Sequence, residues 1–158
     1  MKPLMKYAML WGLMLIFAGT ALASKHTEAT NTAQDAENIV REVIYLSEKE
    51  RALVLLEMRH FLEAVHLILD AALREDMMAV DKIARPLGMQ ALRAAPASLH
   101  KKLPKGFTLL GPKVHQQFQA IADDARDLGD PAYTIQQVKT LTGQCLACHR
   151  MYELKSQN

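Results

Sequence analysis

The chain has little cysteine. Only two occur in 158 residues, at positions 145 and 148, so no framework of several disulfides can hold the fold. A zinc site built from two cysteine pairs is excluded for the same reason, and the histidines other than His149 are scattered along the sequence. An excess of one charge is also missing. Nineteen basic residues stand against seventeen acidic ones, and no basic patch argues for a nucleic-acid partner. Strand-like alternation, internal repeats and low-complexity tracts do not stand out. The N-terminal apolar run, Tyr7 to Ala18, is short for a membrane span.

That run reads instead as part of an export signal. Lys2 and Lys6 make a basic start, Trp11, Leu13, Leu15, Ile16 and Phe17 fill the apolar segment, and Ala21-Leu22-Ala23 is an A-x-A cleavage site. Residues 1–23 are therefore expected to be removed, with the mature chain beginning at Ser24 in the periplasm. An uncleaved membrane anchor is the competing outcome. What remains is about 135 residues, one domain's worth. Cleavage takes two basic residues and no acidic one, so the mature polypeptide has 17 of each sign.

Residues 24–46 read as a lead-in followed by a short helix. Ser24 to about Asp35 is polar or small, and Ile39, Val40, Val43 and Ile44 then fall at helical spacing. Residues 47–158 read as a helical bundle. Ser47-Glu48-Lys49-Glu50 is a capping box, with Ser47 as N-cap and Glu50 three residues on. The long helix it starts runs to about Arg74, with an apolar stripe at Leu55, Met58, Leu62, Val65, Leu69 and Ala72. Asp76 caps a second helix that Pro86 should kink or divide. Pro104, Gly106, Gly111 and Pro112 suggest a long loop. A third helix is expected from about Lys113, ending at Gly129, and Asp130-Pro131 restarts the chain at once as a fourth. The expected fold is all-α: an antiparallel four-helix bundle with a short extra N-terminal helix.

The fourth helix carries Cys145-Leu146-Ala147-Cys148-His149, a C-x-x-C-H. This is the attachment sequence of a c-type haem. Two thiols one helical turn apart can add to vinyl groups on one porphyrin, and the next residue can present its imidazole to the iron. On that reading Cys145 and Cys148 hold one covalent haem c and His149 is the proximal iron ligand. Three alternatives stay open from the residues alone: a redox-active thiol pair, half of a zinc site, and a structural disulfide.

With a secretion signal, helical patterning and C-x-x-C-H close to its C-terminus, the chain resembles the cytochrome c-prime family, the class II cytochromes c. Cys145, Cys148, His149 and Tyr152 resemble that family's terminal C-x-x-C-H-x-x-Y. Many members carry a basic residue just after the tyrosine; here Glu153 follows it, and Arg150 is the nearby cation. The resemblance implies a four-helix bundle whose first long helix lays one residue over the open face of the haem. A methionine there gives six-coordinate iron suited to electron transfer. A leucine gives five-coordinate iron open to nitric oxide or carbon monoxide.

Met58 is the candidate distal ligand, on the inward stripe about three turns after Ser47. Core packing is the ordinary role of such a methionine. Leu55 and Leu62 are the candidates for the five-coordinate alternative. Phe61, Leu62 and Tyr152 are expected to wall the pocket, with Arg59 near a propionate or in solvent. His60, His66, His100 and His115 are expected at the surface. The function expected is therefore a non-enzymatic periplasmic one-electron carrier working with redox partner proteins. The alternative is a gas-binding haem protein. Related proteins dimerise through their first two helices, so a homodimer is a further expectation.

Overall fold

The computed structural model describes residues 40–94 and 96–157. The expected signal peptide, the polar lead-in and residues 36–39 of the expected short helix lie outside them. The described chain is mostly helical, with one small two-stranded sheet. It runs β1 (Glu42–Leu46), α1 (Glu48–Leu73), α2 (Met77–Ala84), a single 3₁₀ turn (Arg85–Leu87), α3 (Met89–Ala94), α4 (Ala97–His100), α5 (Lys105–Asp127), α6 (Pro131–Met151) and β2 (Tyr152–Ser156). No helix among the described residues is long and apolar enough to cross a membrane.

Local signals set most helix ends. The Ser47 hydroxyl accepts from the Glu50 backbone N–H at 3.3 Å, and the Glu50 carboxylate accepts from the Ser47 N–H at 2.9 Å. Two otherwise unpaired groups at the start of α1 are thereby satisfied. Asp76 accepts from Ala79 N–H at 3.0 Å to start α2, and Asp130 from Tyr133 N–H at 3.1 Å to start α6. Pro131 occupies the first turn of α6, where a missing N–H costs nothing. Gly129 takes φ +64° between α5 and α6, the left-handed conformation glycine tolerates best. At the end of α1 the same conformation falls to Glu75, at φ 59°. Pro86 divides the second helical segment: α2 stops, the 3₁₀ turn follows, and α3 begins beyond Gly88.

Three sequence expectations are corrected. The predicted helix over 36–46 is, where described, a strand over its last five residues. Glu42–Leu46 pairs in parallel with Tyr152–Ser156, Val43 opposite Glu153 and Ile44 opposite Leu154. Burial alternates toward its end, with Ile44 and Leu46 buried and Tyr45 exposed. That is the period of two of a half-buried strand, and the partner supplying its hydrogen bonds is far away in sequence. The predicted loop before Lys113 is largely helix, since α5 begins at Lys105 and contains both Gly106 and Pro112. Tertiary packing of Phe107, Val114 and Phe118 outweighs the weak helix propensity of that stretch. The buried face of α1 is also centred beside the predicted stripe, of which Ala72 is buried, Val65 and Leu69 are partly buried against the core, and Leu62 is 72% exposed. The other buried residues of α1 are Val54, Ala64, Ile68 and Ala71. Ile68 and Ala71 lie one position before the predicted Leu69 and Ala72, about 100° round the helix.

The main core joins α1, α2, α5 and α6 through Ile68, Val80, Phe118, Ile121 and Leu141, each fully buried. Small residues at Ala71, Ala84, Ala122 and Ala125 let the helices approach closely. Polar ties fix the arrangement. Gln137 on α6 donates to Asp124 on α5 at 2.6 Å, and Arg85 in the 3₁₀ turn donates to Asp81 at 2.6 Å and Asp123 at 2.9 Å. A second cluster of Ile44, Leu46, Val54 and Leu99 binds the sheet to the start of α1, with Met58, Phe107, Tyr152 and Leu154 against it. Arg51 on α1 donates to the Leu154 carbonyl at 3.1 Å.

Candidate functional site

A cavity of about 450 Å³ lies among α1, α5 and α6. Its size falls in the range of small-molecule and cofactor pockets, about 300–1,000 Å³. α1 contributes Val54, Leu55, Glu57, Met58, Arg59, Phe61, Leu62 and Val65. α5 contributes Phe107, Gly111, Val114, His115 and Phe118, and α6 contributes Leu141, Thr142, Gln144, Cys145, Cys148 and His149. The wall is mostly apolar, with a few polar groups set into it.

Helical geometry explains the convergence on α6. Residues 141, 145 and 148 follow steps of four and three, so they share one face. Leu141 roots that face in the core, and the half-buried thiols of Cys145 and Cys148 continue it along the cavity. Leu146 is 58% exposed and Ala147 is also exposed. His149 ends the row near the C-terminus of α6, exposed yet on the cavity wall. Both cysteines are free thiols. Burial pushes each above its ordinary value, with the neighbouring Cys145 adding to the effect at Cys148. At neutral pH both are therefore S–H groups rather than thiolates.

α1 brings Met58, Phe61 and Leu62 to the same cavity. Met58 is half-buried and also touches the second core cluster; Phe61 packs on the main core. The exposed Leu62 lies on the open side of the cavity wall. Tyr152 is not among the lining residues. It is the C-cap of α6 and the first residue of β2, and it stacks edge-on against the lining residue Phe107, centroids 5.5 Å apart. Arg59 lines the cavity from an exposed position. His60, His66 and His100 are exposed, as expected, and none lines the cavity.

His115 departs from expectation. It is 3% exposed and faces the cavity. Its Nδ1 lies 2.8 Å from the Leu87 carbonyl oxygen, so Nδ1 carries the proton and donates. Its Nε2 lies 3.6 Å from Glu57 Oε1. The ring stands edge-on to Phe61, which in turn stacks on Phe118. The sequence carried a usable signal: His115, Phe118, Ala122 and Ala125 fall at steps of three and four, the spacing of a buried face. Gln144 Oε1 is a further buried polar atom on this wall, and it has no hydrogen-bond partner.

The assembled donors define what the cavity can do. Two thiols can form thioethers, while an imidazole and a thioether can each coordinate a transition metal. No cluster of three or more His, Cys, Asp or Glu residues able to hold a bare metal ion occurs among the described residues. Comparison of the chain with protein-family models, with curated proteins and with solved structures finds no match.

Proposed function

We propose that the chain is an exported monohaem c-type cytochrome of the class II type that carries single electrons. Haem would be held covalently by Cys145 and Cys148, with His149 as proximal ligand and Met58 as distal ligand. In this reading α1, α2 with α3, α5 and α6 are the members of an antiparallel four-helix bundle. The observation that carries it is the convergence of Cys145, Cys148, His149 and Met58, from two helices, on one largely apolar cavity.

The bound group would supply an iron able to change by one electron. The chain's residues hold and tune it. Cys145 and Cys148 would hold the group through two thioether links, each thiol adding its sulfur and its hydrogen across one vinyl double bond. His149 offers an imidazole nitrogen from α6, and Met58 offers its thioether sulfur from α1. Thioether ligation favours the reduced metal. The apolar wall of Val54, Phe61, Val65 and Phe118 keeps water away and adds to that preference. No substrate is transformed. The partners are other redox proteins, reached in the periplasm after the 1–23 signal is removed, and a second copy of the chain.

A second reading is favoured by Leu55 and Leu62, which line the same cavity from the same helix. With a leucine rather than Met58 over the iron, the protein would bind nitric oxide or carbon monoxide. The visible spectrum after expression with a haem-attachment system separates the two. Low-spin iron indifferent to carbon monoxide supports the electron carrier, and Met58→Ala should then turn it high-spin. High-spin iron that binds carbon monoxide promptly supports the gas-binding protein. Protein that acquires no haem overturns both.

A further inference from the structure

We infer that His115 is a positioning residue for Met58, gripping the turn of α1 that presents the methionine to the cavity. The inference rests on the electron-carrier reading above and adds a residue to it.

The grip has three points. Pro86 ends α2 and leaves a 3₁₀ turn whose Leu87 carbonyl accepts from His115 Nδ1 at 2.8 Å, fixing the ring's tautomer and plane. The opposite ring nitrogen lies 3.6 Å from Glu57 Oε1, a packing contact against the helix. The ring edge meets Phe61 at 5.3 Å and 75°. Glu57 and Phe61 flank Met58, one residue before it and three after. The imidazole therefore touches the helix on both sides of the methionine, while its other end is tied to a different segment. Rotation or sliding of α1 at this turn would break the Glu57 contact or the Phe61 contact. The two packed rings Phe61 and Phe118 continue the brace into the core.

Most of this wall is aliphatic or aromatic, and a leucine at 115 would fill space equally well. It would not take the Leu87 carbonyl. Burying an imidazole carries a desolvation cost that this hydrogen bond offsets. The benefit assigned here is orientation of the metal ligand, because a thioether donor must be held close to its productive geometry to stay coordinated.

The test uses haem-loaded full chain and reads three things: covalent haem by mass, helix content by circular dichroism, and ligation by the thioether–ferric charge-transfer band and carbon monoxide reactivity. In His115→Phe, haem and helix content should persist while the ligand band weakens and the carbon-monoxide-reactive fraction rises about tenfold, the upper range for losing one buried hydrogen bond. His115→Asn, whose amide can still donate toward Leu87, should recover part of the band. A Phe variant with the wild-type band and reactivity overturns the inference alone. Should that variant fail to fold, Glu57→Ala, at a part-exposed position, is read the same way; it should raise the reactive fraction, and no change overturns the inference. High-spin iron in the wild type overturns the inference and leaves the haem in place. Absence of haem from the wild type overturns the proposed function and this inference together.

Discussion

Tyr152 covers Gly106. A Cβ on residue 106 would overlap the tyrosine hydroxyl oxygen, while the ring carbon that bears it would remain 3.5 Å away, an ordinary contact. The first turn of α5 can thus approach the end of α6 because residue 106 has no side chain.

Gly106→Ala should therefore destabilise the fold by about 1–3 kcal/mol through overpacking, although alanine is the better helix former. In a Tyr152→Phe background the obstructing oxygen is gone, and the same change should become close to neutral. Urea unfolding of the two single variants and the double variant measures the coupling. Equal costs in both backgrounds would show that the hydroxyl is not what residue 106 avoids.

The strand over Glu42–Leu46 makes a prediction that a helix would not. Leu46 is fully buried and Tyr45 is 56% exposed. Leu46→Ala should cost about 2–5 kcal/mol, and Tyr45→Ala about 0.5 kcal/mol or less. Thermal or chemical denaturation of the two variants checks the alternation.

Glu50 links stability to acid pH. Its carboxylate accepts from Lys102 at 2.8 Å and from the Ser47 hydroxyl at 2.7 Å, and these contacts lower it from 4.5 to about 2, Lys102 contributing most. A folded-state value below the unfolded one gives stability that is complete above about 4.5 and is lost as pH falls toward about 2. Glu50→Gln should therefore lower the melting temperature at neutral pH and flatten its fall between these limits. Lys102→Met should give a smaller change of the same sign. Calorimetry across that pH range reads both.

The cysteines make a chemical prediction. Because Cys145 and Cys148 are half-buried and burial raises both thiols, the folded chain with both thiols free should alkylate more slowly at neutral pH than the denatured chain. The rate should climb as pH rises past the ordinary thiol value, and denaturant should accelerate it at neutral pH. Mass spectrometry of iodoacetamide adducts follows each step. Rapid labelling of the native chain at neutral pH would contradict the burial.

What the sequence made legible was local. The Ser47–Glu50 box, the Asp130-Pro131 restart, the break at Pro86 and the turn at Gly129 each depend on a few adjacent residues, and each stands where the pattern puts it. Of the residues singled out as a candidate site, Cys145, Cys148, His149, Met58, Phe61 and Leu62 all line one cavity. What escaped was set at a distance. Ile39, Val40, Val43 and Ile44 satisfy a helical spacing in the sequence, and only the pairing with Tyr152–Ser156 decides for a strand over Glu42–Leu46. Gly106 and Pro112 weaken the helical pattern of α5, while packing of Phe107 and Val114 restores it. Tyr152 follows α6 in sequence, yet its backbone belongs to the sheet and its ring stands behind Phe107. His115 looked solvated because its acceptor, the Leu87 carbonyl, is freed by a helix break 28 residues earlier.

The parallel register of Glu42 with Tyr152 also orders events during synthesis. A polypeptide under synthesis exposes Glu42–Leu46 long before its partner arrives. Through that interval Ile44 and Leu46 have no complementary edge to cover them. The seam can close only once the stretch beyond His149 has been made, so this sheet pairs after the residues of every helix described above have been synthesised.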